Sequence, residues 1–135
     1  MPDAKPPASR GYRLAAGTVL IAYWLIMFAS THWPHVNLGN YPQNTDKVLH
    51  FTGYAGFGFL IAVWMSTKRE FKWRDFAAAF AVIFVYAIVD EVTQPWFGRD
   101  CEFFDAVADW AGGLSGLSVF LLLRATLRRL SISNP

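Results

Sequence analysis

Three short spacings bring polar groups together. Asp46 and His50 are four residues apart, Asp105 and Asp109 are four apart, and Asp90-Glu91 is followed by Gln94. On a helix, residues three or four apart share a face. The first two spacings therefore each set paired groups on one face, and Gln94 lies between the directions of Asp90 and Glu91. Tyr54 falls one turn below His50, and Arg99 stands in a short connection between the second and third of these groups. An imidazole beside several carboxylates can transfer protons or support acid–base or metal-assisted hydrolysis. The guanidinium fork of Arg99 can grip one carboxylate, or a phosphate or carboxylate ligand.

Plainer roles compete at each position. Asp46 and Asp105 can cap helices, because acids suit a helix N-terminus. His50 can be an interfacial histidine with a satisfied hydrogen bond. His32 and His35 are three apart in a stretch rich in Asn and Pro, which favours a loop over a metal site. Gly112 and Gly116 make a GxxxG spacing on the face of Asp105 and Asp109, a pattern that chiefly serves close helix packing. Asp109 and the Asp90-Glu91 pair fit these plainer roles least. Asp109 lies too deep for a cap, and two acids at a helix C-terminus oppose the helix dipole. The chain has no metal-ligand signature of fixed spacing, GxGxxG loop, P-loop, CxxC or HExxH. Thr52 and Thr93 are the available hydroxyls for a nucleophile, without a supporting motif. The expectation is no metal and no cofactor, with the catalytic residues, if any, unassigned.

Four apolar runs must position these groups, at residues 14–30, 48–66, 76–94 and 103–123. Helices of these lengths span about 25 to 31 Å, close to the hydrocarbon thickness of a bilayer. Charged residues make up only 16% of the chain against 54% hydrophobic, well below the charge of a soluble domain. The runs lack the polar stripe that a water-facing helix needs, which disfavours a soluble bundle. A basic flank before the first run also suits a signal peptide, but Met27-Phe28-Ala29-Ser30-Thr31 offers no clear small-x-small cleavage site. The expectation is an all-α integral membrane bundle of four transmembrane helices. Residues 1–13 form a disordered basic flank, residues 14–123 the membrane domain, and residues 124–135 a basic tail. Cys101 is the single cysteine, so no intrachain disulfide can form.

Lysine and arginine orient the bundle. Ten of the 12 lie in the N-terminal flank, the connection between runs two and three, and the C-terminal tail; Lys47 and Arg99 are the exceptions. Positive charge is retained in the cytoplasm, so both termini are expected inside. The blocked charge suits membrane orientation rather than nucleic-acid binding. Trp24, Trp33 and Trp96 are candidate anchors at the outer interface, and Trp64 and Trp73 at the inner one. Asp46, Asp90, Glu91, Asp100, Glu102, Asp105, Asp109 and His50 then all fall at the outer ends, although none of them was used to choose the orientation.

In order along residues 46–116 stand Asp46-Lys47-x-x-His50-Phe51-x-x-Tyr54, Asp90-Glu91-x-x-Gln94, Gly98-Arg99, and Asp105 followed by Gly112 and Gly116. This series resembles the VanZ-like membrane proteins, a family named for a protein associated with teicoplanin resistance. The resemblance implies a multi-pass bacterial protein of the cell envelope with His50, Tyr54, Glu91, Gln94, Arg99 and Asp105 as shared polar residues. Asp109 departs from the pattern, since members commonly carry Asn there.

The expected site is therefore Asp46, Lys47, His50, Tyr54, Asp90, Glu91, Gln94, Arg99, Asp105 and Asp109, at the outer face of the cytoplasmic (inner) membrane. The leading function is binding or handling a lipid-linked phosphate, a cell-wall precursor or a glycopeptide antibiotic. The alternatives are a membrane-embedded hydrolase of lipid-linked phosphate, a proton- or cation-coupled transporter, and a closed polar network with a structural role. Membrane lipids are the expected surroundings; the oligomeric state is not encoded in these features.

Overall fold

Long apolar stretches without interior proline give four helices in a computed structural model that describes residues 8–33 and 45–133. They are α1 (Arg10–His32), α2 (Thr45–Ser66), α3 (Trp73–Thr93) and α4 (Phe103–Ser133), and no strand occurs among the described residues. All four are long and apolar enough to cross a membrane. They run up and down, so one end of the bundle gathers the α1 and α3 C-termini with the α2 and α4 N-termini. This is the polar end; the opposite, basic end carries the other four helix ends.

The helices extend beyond the apolar runs at the basic end. Residues 10–13, expected within a disordered flank, form the first turn of α1. Ser9 caps that turn by accepting a hydrogen bond from the Tyr12 N–H at 3.3 Å, and the Ala8 N–H donates to the Thr67 carbonyl at the end of α2. Likewise α4 continues through residues 124–133, which were expected as a tail. Arg124 and Arg128, one turn apart, both reach Glu70 in the α2–α3 connection, and Arg124 also donates to the Phe71 carbonyl at 2.9 Å. Hydrogen bonding from Arg128 holds the Glu70 carboxyl below the usual range. α3 starts at Trp73, where Asp75 accepts from the Lys72 N–H at 2.8 Å and meets Arg69.

At the polar end, α3 stops at Thr93, and Pro95 opens a 3₁₀ turn over Gln94–Phe97. Proline fits there because it has no N–H to offer the preceding turn. Gly98 ends the turn at φ 76°, a left-handed conformation that glycine adopts without steric cost. That reversal turns Arg99 back over the helix ends.

α2 and α4 form the closest pair. A Cβ on Gly112 would sit 2.1 Å from the Phe51 carbonyl oxygen, and one on Gly58 would sit 2.6 Å from that of Gly113. Small residues thus allow backbone-to-backbone approach, the usual device of membrane helix pairs. Tyr54, Phe57, Ile61, Ala79, Ile83, Ala87 and Leu117 fill the core between α2, α3 and α4. α1 is more loosely held, with only Met27, Thr31 and His32 buried. The outward faces are apolar, with Ile26, Val85 and Leu122 among their exposed residues, as lipid contact requires. Trp33, Trp73 and Trp96 are exposed near helix ends, where aromatic rings suit a membrane interface. Trp24 instead packs on Phe28 and Tyr86, and the Lys68 ammonium sits over the Trp64 ring.

Candidate functional site

The polar end brings the expected residues into three linked groups. α4 builds the first. Asp105, Asp109, Gly112 and Gly116 share a face, and the glycines draw that face onto α2. Asp109 Oδ1 then accepts from His50 Nδ1 at 2.9 Å. Glu91, arriving from α3, places Oε1 at 3.8 Å from the same nitrogen. Gln94 donates to Glu91 Oε1 at 3.0 Å, and the Glu102 N–H donates to its other oxygen at 3.0 Å. Gln94 therefore takes Glu91 of its two possible partners. The two donors hold the Glu91 carboxylate in a fixed orientation although it ends a helix.

Cations form the second group, above the first. Lys47 donates to Asp105 at 3.0 Å and to Glu102 at 2.9 Å. Arg99 Nη2 donates to Asp46 Oδ1 at 3.1 Å. Asp46 lies in the first turn of α2, yet its carboxylate is tied to a group 53 residues away.

Asp90 anchors the third group. One residue before Glu91 on α3, it is rotated by about 100° and faces α1. Thr31 donates to its Oδ1 at 3.1 Å, Tyr86 at 3.3 Å, and His32 Nδ1 lies 3.6 Å away. His32 also donates from Nδ1 to the Phe28 carbonyl and approaches the Thr93 hydroxyl at 2.8 Å through Nε2. Thr31 and Tyr86 are polar members that the sequence reading missed, and His32 and Thr93 join the group in roles other than those weighed for them. His32 had been grouped with His35 in a loop; it is the last residue of α1, and His35 lies outside the described residues. The absence of any helix breaker between Ser30 and Pro34 was the available signal. Asp100, expected with the cluster, is exposed beside it, as is Cys101.

Burial makes these contacts consequential. Asp105 and Asp109 are at most 1% exposed, and Asp90 is 1% exposed. Tyr54 is fully buried beneath His50 and stacks on Tyr86. Even so, Tyr54 OH, Asp90 Oδ2, Gln94 Oε1, Arg99 Nε and Asp109 Oδ2 have no hydrogen-bond partner among the described residues. Beside them a cavity of about 350 Å³ opens between α1 and α2. Its polar wall includes Arg99, Asp46, His50, Tyr54 and Thr31, and its apolar wall Met27, Leu49 and Gly53.

These features define a multi-pass helical membrane protein whose histidine and carboxylates converge at one end of the bundle. The chain belongs to the VanZ/LLP1 family, which matches residues 9–124. The match takes in all of α1 and most of α4, beyond the stretch that carried the motif resemblance. No curated protein and no solved structure matches the chain.

Proposed function

We propose that this protein holds the polar headgroup of an amphipathic envelope molecule in the cavity between α1 and α2, at the outer face of a bacterial inner membrane. The ligand class is a lipid-linked phosphate, a cell-wall precursor or a glycopeptide antibiotic. One observation carries this reading: Arg99 and Tyr54 line the cavity, and their buried Nε and OH lack a partner among the described residues. A buried donor without an acceptor is costly, and a phosphate or carboxylate oxygen would satisfy it. Among the described residues Asp46 occupies one of the Arg99 nitrogens, leaving part of the fork to a ligand. The apolar wall suits the adjoining hydrocarbon. A closed structural network accounts less well for this opening.

Arg99→Ala should reduce retention of phosphate-bearing lipid by about ten- to a hundred-fold, the value of one charge-assisted hydrogen bond. Native mass spectrometry of protein in nanodiscs measures it. In cells, the same change should remove any teicoplanin protection that expression confers. Undiminished retention together with undiminished protection would count decisively against the headgroup reading. The Asp46 side chain is 42% exposed, so water replaces its lost partner and the fold should survive.

The orientation rests on the cations at the basic end. It predicts that Cys101, exposed at the polar end, reacts with a membrane-impermeant maleimide in cells whose inner membrane is intact. Labelling only after the inner membrane is permeabilised would reverse the topology.

A hydrolytic reading has support from the His50–Asp109 pair, which resembles the orienting contact of a general base. The Thr52 and Thr93 hydroxyls both donate to backbone carbonyls of their own helices, so water would be the attacking group. Phosphate release from a lipid phosphate, abolished by His50→Ala, is the observation that would favour it.

A further inference from the structure

We infer that His50, Asp90, Glu91 and Asp109 form a site for one divalent first-row transition ion. Each of the four offers a ligand atom, and these atoms all lie within 4.8 Å of one another. They come from α2, α3 and α4, so the bundle itself sets their spacing.

The separations suit a metal. Ligands about 2.1 Å from an octahedral ion stand about 3.0 Å apart when adjacent and about 4.2 Å when opposite. His50 Nδ1 lies 2.9 Å from Asp109 and 3.8 Å from Glu91, so modest shifts of side chains bring four ligands onto one ion and leave two octahedral positions to water. The proton that Nδ1 shares with Asp109 leaves when the nitrogen ligates, as metal binding generally requires.

Two independent observations point to a cation. The first is that Asp90 Oδ2 and Asp109 Oδ2 are buried without a donor among the described residues. The second is charge. Lys47 is taken by Asp105 and Glu102, and Arg99 by Asp46. The ion-pair partners of Asp90, Glu91 and Asp109 among the described residues are imidazoles only. Three carboxylates below a lipid surface need protons or a compensating charge, and a divalent ion supplies the charge. Asp46, His50 and Asp105 form an alternative set, but both of those acids already have cationic partners.

The remaining ligand oxygens are oriented from outside. Gln94 and the Glu102 N–H hold Glu91, while Thr31 and Tyr86 hold Asp90. Such supporting contacts are typical of metal ligands. One imidazole with three carboxylates suits zinc or manganese; all-oxygen sites suit calcium or magnesium, and copper(I) prefers thiolates.

This inference goes beyond the headgroup reading and is tested without any lipid ligand. Full-length protein in detergent, stripped with a chelator, is dialysed against zinc or manganese, and bound metal is measured by inductively coupled plasma mass spectrometry. About one ion per chain is expected, with a raised unfolding temperature. Asp109→Asn and Glu91→Gln should each weaken binding at least about ten-fold, and Glu70→Gln at the basic end should not. Pulsed electron paramagnetic resonance of bound manganese, in wild-type protein labelled with ¹⁵N-histidine, should show one directly coordinated imidazole nitrogen. That measurement needs no variant to fold. Folded protein that takes up no stoichiometric zinc or manganese overturns the inference. So does manganese without coupling to histidine, or binding that both carboxylate substitutions leave intact.

Discussion

Gly116→Ala should leave almost no correctly folded protein. The added Cβ would lie 1.9 Å from the Ala55 carbonyl oxygen, 2.8 Å from its carbon and 2.9 Å from the Phe59 nitrogen. All three are backbone atoms of α2, so no side-chain rotation relieves the clash. Ordinary overpacking costs about 1–3 kcal/mol. Here whole helices must part along the closest seam of the bundle, so a loss above about 3 kcal/mol is expected, a large share of a typical folding free energy. Gly11→Ala is the control, because a Cβ there meets nothing within 4 Å and alanine is the better helix former. Unfolding in mild detergent, followed by circular dichroism, separates the two. Similar midpoints for Gly116→Ala and wild type would show that the α2–α4 approach is looser than described.

His50→Ala should produce the second large effect, about 3–5 kcal/mol of destabilisation, because it strands the buried Asp109 carboxylate. Asp109→Ala should cost less, since it removes the acid with its requirement for a partner. The double substitution should then be milder than the sum of the singles, with a coupling of about 2 kcal/mol, within the range found for contacting residues. Changes that add to within about 0.5 kcal/mol would mean that the 2.9 Å contact contributes nothing to the fold. Asp109→Asn should fall between wild type and Asp109→Ala, because the amide oxygen can still accept from His50 Nδ1.

The sequence disclosed different parts of this molecule unequally. Four spans were legible because lipid demands uninterrupted apolar stretches, and Pro95 marked where α3 must end. The common face of Asp105, Asp109, Gly112 and Gly116 was legible from helical geometry alone. Partner choice was not. Nothing local distinguishes Glu91 from Asp90 as the neighbour of Gln94, because the distinction depends on distant partners, Thr31 of α1 for Asp90 and the Glu102 N–H for Glu91. Lys47 was expected in the site, but its partners were not legible; it clamps Asp105 and Glu102 from another helix. The ends of α1 and α4 were hidden too, since tertiary contacts at Thr67 and Glu70, rather than hydrophobicity, carry those helices past the apolar runs. A four-residue ligand set drawn from three helices leaves no spacing motif to find.

The sparse burial of α1 bears on how the cavity is reached. With three buried side chains, α1 is the helix held least by burial, so its seam against α2 is expected to open before the rest of the bundle loosens. That same seam is a wall of the cavity. Under the headgroup reading proposed above, a guest already dissolved among the acyl chains would slip in sideways, its tail never leaving oil, with no doorway to the aqueous phase required.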